Sequence, residues 1–116
     1  MNRNPVAQSH ARAWVIFNHI TVGPNSYVDQ TVNVQGFDTL LMVYAAAGGG
    51  DISVYPRCLN GSINPYPLNN AAGSNQSSNS SQGWLVYNLF GLSFVTVRFR
   101  DTSGAANPVY MEGYLR

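Results

Sequence analysis

Phe94-Val95-Thr96-Val97-Arg98-Phe99-Arg100 alternates without a break. Val95, Val97 and Phe99 fall on one side; Thr96, Arg98 and Arg100 fall on the other. A period of two marks a strand with one face on a core and the other toward water. Working outward, Asp101 to Pro108 is a turn-rich connection, and Val109 to Leu115 closes the chain as a final strand. On the other side, Trp84 to Tyr87 has β character. Before it, residues 69–83 form a polar, low-complexity stretch of Asn, Ser, Gln, Ala and Gly. Such a stretch has too few apolar side chains to build a core, so a flexible polar surface loop is expected there.

Further toward the N-terminus, Asp51 to Leu59 places Ile52 and Val54 opposite Ser53 and Tyr55. Asn60-Gly61 follows, the dipeptide that suits a two-residue type I′ turn because both positions need positive φ. That turn would set Leu59 opposite Ser62, Arg57 opposite Asn64, and Tyr55 opposite Tyr66. Pro56, Pro65 and Pro67 cannot donate ladder hydrogen bonds, which puts this hairpin at a sheet edge. Gly48-Gly49-Gly50 breaks an almost wholly apolar strand, Thr39 to Ala45. Tyr27 to Val34 alternates, Gly23-Pro24-Asn25 is a turn, and Trp14-Val15-Ile16-Phe17 and Ile20-Thr21-Val22 read as β with His19 interrupting. Residues 1–12 show no period and read as an extended arm.

No window carries a helical period. About eight short strands separated by Gly, Pro and Asn clusters predict one all-β domain over 13–116, an antiparallel β-sandwich or jelly roll. Local hairpins are expected for 39–45 with 51–59, for 51–59 with 62–68, and for 93–100 with 109–115.

Composition narrows the function classes. The chain has 116 residues, and 9% of them are charged, against roughly 25% in an ordinary soluble protein. All six basic residues are arginine, and the net charge is +1. A nucleic-acid binder needs a basic stripe to neutralise phosphates, and this chain has none. A polybasic membrane contact is excluded on the same ground. Hydrophobic residues make up 45% of the chain, which argues against disorder. No apolar run of signal-peptide length follows Met1, so synthesis in a host cytoplasm is the expectation. The Asn-x-Ser sequons at Asn60, Asn75 and Asn79 then reflect Asn and Ser richness. Cys58 stands alone and is expected as a small packed hydrophobe in a strand.

Two segments resemble each other. Val32-Asn33-Val34-Gln35-Gly36-Phe37-Asp38-Thr39-Leu40 and Trp84-Leu85-Val86-Tyr87-Asn88-Leu89-Phe90-Gly91-Leu92-Ser93-Phe94 each end a short strand in Gly plus an apolar residue, and each leads into a longer strand. A tight bend at Gly turns the next apolar side chain into the sandwich. This V-x-V-x-G-F-x-x-L arrangement, followed by an apolar strand, a Gly turn and a second strand, resembles small β-sandwich modules of tailed-bacteriophage virions. These occur as head decoration (cement) proteins and as tail or fibre appendages. The same pattern occurs in galactose-binding-like jelly rolls. The resemblance covers roughly 30–116 and transfers no functional residue. For the cement type it implies a trimer that sits on the capsid surface and locks neighbouring capsomers.

Chemistry-bearing residues are sparse. Asp38, Asp51 and Asp101 adjoin turns, where Asp serves backbone hydrogen bonding. His10 and His19 lack the Cys/His density of a zinc site, no G-x-S-x-G elbow is present, and Gly48-Gly49-Gly50 lacks the Lys-Ser/Thr of a phosphate loop. The expectation is a non-enzymatic protein without cofactor or metal, located in the virion. Its partners would be copies of itself and another virion protein such as the major capsid protein. The alternative is a glycan- or host-surface-binding module of a tail fibre. The candidate interface residues are Arg3, Pro5 and Arg12 of the arm, Leu40, Met42 and Tyr44 of the apolar strand, Arg98 and Arg100, and the aromatics Tyr55, Tyr66 and Trp84. The last three are expected to form one platform near the edge hairpin and the long loop.

Overall fold

The computed structural model describes residues 12–70 and 81–116. It contains β1 (Arg12–Val22), β2 (Tyr27–Asn33), β3 (Thr39–Ala46), β4 (Gly50–Pro56), β5 (Gln82–Asn88), β6 (Phe94–Asp101) and β7 (Asn107–Leu115). They form a four-stranded sheet in the order β1-β7-β3-β5 and a three-stranded sheet in the order β2-β6-β4. All pairings are antiparallel. Odd-numbered strands build one sheet and even-numbered strands the other, so every connection crosses between sheets. This is a jelly-roll sandwich, as the strand pattern predicts.

The two sheets face each other through the inward half of each alternating strand. Leu40, Met42 and Tyr44 of β3, Tyr87 of β5 and Met111 of β7 meet Ile52, Val54, Val95, Val97 and Phe99 of the opposite sheet in one buried cluster. Each such aliphatic or aromatic side chain contributes about 1.5–3 kcal/mol on leaving water. The cluster is what holds two short sheets together.

The crossing topology overturns two of the three expected hairpins. β3 and β4 lie in different sheets, as do β6 and β7. Alternation says which side chains face inward, and it is blind to which of two facing sheets a strand joins. The remaining one, 51–59 with 62–68, survives only as a short loop. Segment 62–68 forms no strand, so the described residues hold seven strands rather than eight; an isolated bridge joins Arg57 and Ile63. Pro65 and Pro67 deny that segment the donors a ladder needs. The register also differs by one residue. Gly61 N donates to Cys58 O at 2.9 Å and Cys58 N donates to Ser62 O at 2.8 Å. Only Gly61 has positive φ, at 93°, so the turn is a three-residue loop closed by a left-handed Gly. Tyr55 and Tyr66 are therefore not opposite each other. Cys58 is exposed in this loop, not packed in a strand.

At the chain's start, β1 is one strand with two register shifts against β7. His19 lies in the second shift with φ 51°, and its ring stacks on Tyr110 at 4.7 Å. Arg12 is the first residue of β1. Gln82 and Gly83, read as loop, open β5.

The sequence repeat is a pseudo-twofold relation between the sheets. The pair Thr39–Asn88 in one sheet matches Phe94–Asn33 in the other, an offset of 55 (39 to 94, 33 to 88). Strand β7 matches β4 with an offset of 59, since Tyr44–Met111 corresponds to Phe99–Ile52. The turns match as well. Gln35 N donates to Asn33 Oδ1 at 3.0 Å, and Phe90 N donates to Asn88 Oδ1 at 2.9 Å. Val34 N donates to Ser93 O, and Leu89 N donates to Asp38 O, at 2.9 and 2.8 Å. β1 has no counterpart among the described residues and adds the fourth strand of its sheet.

Candidate functional site

With the core accounted for, the two outer faces remain. On the four-stranded sheet the outward residues lie in rows fixed by register. The central row is Trp84–Val43–Glu112, flanked by Val86–Leu41–Tyr114 and Gln82–Ala45–Tyr110. Val15 of β1 extends the central row beside Glu112. Trp84 is 67% exposed, and Val15, Val43 and Tyr114 are exposed as well. The pseudo-equivalent rows of the three-stranded sheet are Asp29–Arg98–Ser53, Thr31–Thr96–Tyr55 and Tyr27–Arg100–Asp51. The same scaffold positions are thus charged or hydroxylated on one face and largely apolar on the other. The fold does not require an apolar outer face, because its own second half does without one.

Glu112 is the one charge among these outward rows of the four-stranded sheet. Tyr110 and Tyr114 stand two residues away on either side, so the strand's period presents all three together. The Tyr110 hydroxyl donates to Glu112 Oε2 and the Tyr114 hydroxyl to Oε1, each at 2.7 Å. These bonds, Tyr114's first and Tyr110's second, hold the Glu112 carboxyl below its usual range. The same bonds raise both tyrosine hydroxyls. The result is a fixed anion amid aromatic and aliphatic surface. A recess of about 210 Å³ opens beside it between β1 and β7. Sequence reading left Glu112 out. The signal was the period-two spacing of Tyr110, Glu112 and Tyr114 in the closing strand.

The opposite face is internally paired. Arg98 donates from Nε and Nη2 to both Asp29 oxygens at 2.8 and 2.9 Å. Its guanidinium lies 4.0 Å from the Tyr27 ring centre and 5.0 Å from that of Tyr55. Asp51 is raised by burial, against the pull of Arg100. Arg98 and Arg100 do share one outward face, but Arg98 is already committed to Asp29. Asp29 and Asp51 sit on the opposite outer face from Glu112, separated by more than the sheet spacing of ~10 Å. Carboxylate pairs in glycosidases stand roughly 5–9.5 Å apart.

The other expected interface residues divide as follows. Leu40 and Met42 are 0% exposed and Tyr44 is 6% exposed, so they belong to the core. The half of β3 that faces outward is Leu41, Val43 and Ala45. Tyr55 and Trp84 lie on opposite faces, so they and Tyr66 form no single platform; Tyr66 is exposed on the loop after β4. Arg12 Cζ lies 5.0 Å from the Trp14 ring centre. Arg3, Pro5 and the rest of the arm before Arg12 lie outside the described residues, as do 71–80 of the polar loop.

No protein-family model matches the sequence, and no curated protein sequence matches it. Solved structures share the fold. The SPBc2 prophage-derived protein YomS superposes with a TM-score of 0.65 at 15% identity, covering 90% of this chain and 91% of that one. The PBSX exported protein XepA gives 0.67 at 9% identity over 90% of this chain, which spans 37% of XepA. A carbohydrate binding module of family 29 gives 0.53 at 12% identity, covering 90% and 92% of the two chains. The likeness of fold to a prophage-derived protein agrees with the resemblance to small phage β-sandwich proteins read from the sequence.

Proposed function

We propose that the protein is a non-enzymatic structural component of a phage particle, a decoration protein that assembles as a trimer and docks through the outer face of its four-stranded sheet. The observation that carries this reading is the contrast between pseudo-equivalent faces. Where one sheet has Asp29, Arg98 and Ser53, the other has Trp84, Val43 and Glu112. Aromatic and aliphatic residues with few charges are what the buried centre of a protein interface carries. Sedimentation velocity of the purified chain, followed by co-sedimentation with capsid shells, tests it. A trimer that binds shells, and a Val43→Arg variant that does not, is the expected result. A monomer that leaves shells bare overturns it.

A second reading is a glycan-binding module of a tail appendage. Tyr110 and Tyr114 on an anchored carboxylate, with Trp84 in the same row, favour it, and so does the fold shared with a carbohydrate binding module.

A further inference from the structure

We propose that the cleft at the turn end of β5 binds a neutral saccharide unit. This rests on the second reading above and gives it a place. The cleft holds about 360 Å³ and is lined by Thr39, Asn69, Asn70, Val86, Asn88 and Phe90, with Tyr87 behind them. That volume is at the small end of ligand pockets. The lining carries amides, a hydroxyl and an aromatic ring, and no charged residue. Such groups exchange hydrogen bonds with sugar hydroxyls and offer one ring to the apolar face of a pyranose. They offer no cation to a phosphate, a sulfate or an acidic sugar. Asn88 accepts from Phe90 N through Oδ1, and its Nδ2 has no partner among the described residues; Thr39 Oγ1 likewise has none.

Two comparisons within the chain single this cleft out. First, Phe90 adopts φ 53°, a left-handed conformation that a bulky side chain rarely takes, and its ring is 74% exposed. The matching turn does not ask for this. Phe37 N donates to Val34 O and only Gly36 there has positive φ, whereas Leu92 N donates to Leu89 O across Phe90 and Gly91, both positive. Backbone strain of this kind collects at ligand sites. It is retained here in a turn that holds an aromatic ring out into solvent.

Second, the equivalent place on the other sheet is filled by the chain itself. A smaller cleft of about 210 Å³ is lined by Thr31 and Phe94, the counterparts of Val86 and Thr39, together with Arg57, Cys58, Leu59 and Gly61. Arg57 Nη1 donates to Thr31 Oγ1 and Thr96 Oγ1 at 3.3 Å, and Nη2 donates to Gly61 O. The cleft beside Phe90 has no such plug among its lining residues. Trp84, Val86 and Asn88 follow one another along the same face of β5, with Trp84 about 13 Å from Asn88. A short oligosaccharide seated at Phe90 would run along β5 toward Trp84.

The test is a glycan array of neutral hexose and N-acetylhexosamine oligosaccharides beside sialylated and sulfated ones, with hits titrated calorimetrically on the full chain. Neutral probes are expected to bind. Phe90→Gly relieves the left-handed backbone, so it should keep or raise the melting temperature while affinity falls by about tenfold. Binding of acidic probes alone, or undiminished binding by Phe90→Gly, overturns the proposal. Binding lost in Trp84→Ala but kept in Phe90→Gly would place the glycan on the open sheet face. That overturns the cleft and leaves the glycan reading standing. No binding to any probe overturns both.

Discussion

Asp101 receives five donors at the end of β6: the backbone N–H groups of Asn25, Ser103 and Gly104, the Ser103 hydroxyl and Asn107 Nδ2. The Ser103 hydroxyl is the largest influence and Asn25 N–H the next, and together they hold the carboxyl far below its usual 3.8. A carboxylate depressed in the folded state adds stability that is present above its unfolded value and is lost as pH falls toward its folded value. The melting-temperature gap between the wild type and Asp101→Asn should therefore be full above pH ~5 and narrow below pH ~4. Thermal melts across that range check it, and a gap constant with pH would refute the role. Tyr87 is the opposite case. Its hydroxyl is buried with no partner among the described residues, and burial pushes it up to about 12. An unpaired buried hydroxyl costs stability, so Tyr87→Phe should stabilise the protein by about 1 kcal/mol in denaturant titrations. Asp101 was legible in the sequence as a turn residue. Tyr87's orphaned hydroxyl was not, because its cost depends on what the rest of the core leaves within reach.

Among the elements, β1 depends on one absent side chain. Trp14 pairs with Gly113 across the β1–β7 ladder, and a Cβ on Gly113 would stand 2.6 Å from the Trp14 ring. Trp14 Nε1 donates to Gln30 Oε1 at 3.1 Å, and Gln30 Nε2 donates to Ile16 O at 2.9 Å. These bonds clip β1 to β2 of the other sheet. Gly113→Ala should displace the indole and cost about 1–3 kcal/mol. A shift in Trp14 fluorescence, read in a Trp84→Phe background, together with a lower denaturation midpoint, checks it. Strand positions and inward faces were readable because alternation reports them directly, as in β6. Pairing was not. The β3–β4 connection is short enough for a hairpin, yet Asn107 holds its loop by accepting from Gly48 N and donating to Gly49 O. That clip comes from a residue 58 positions beyond Gly49 and has no local signature. The turn dipeptide Asn60-Gly61 misled by one register step, since Gly61 alone takes the left-handed position.

For the whole molecule, the low charge content acquires a geometry. The ion pair of Asp29 and Arg98 lies on the three-stranded face, whose outer rows also carry Asp51 and Arg100. The other face keeps Glu112 alone in its outward rows. Binding through that second face should change little between low and high salt, because few charges would be screened. Shell-binding titrations from about 50 mM to 500 mM salt check this, and a steep loss of affinity would point instead to the arginine face. A sparsely charged surface was legible in the composition, and the two apolar sides of β3 in residues 39–45. Leu40, Met42 and Tyr44 read as interface candidates but lie in the core, because an apolar residue on a doubly apolar strand carries no label for inside or outside.

The two unlike faces point in opposite directions, and that has a bearing on how far an assembly of such molecules could grow. A copy bound by its aromatic face turns Asp29, Arg98 and Arg100 toward the solvent. Asp29 and Arg100 are exposed, and Arg98 is already satisfied by Asp29. A newcomer's aromatic face finds no match there. A particle dressed in this way would acquire a coat one molecule thick, its thickness limited by the outer side of each tile.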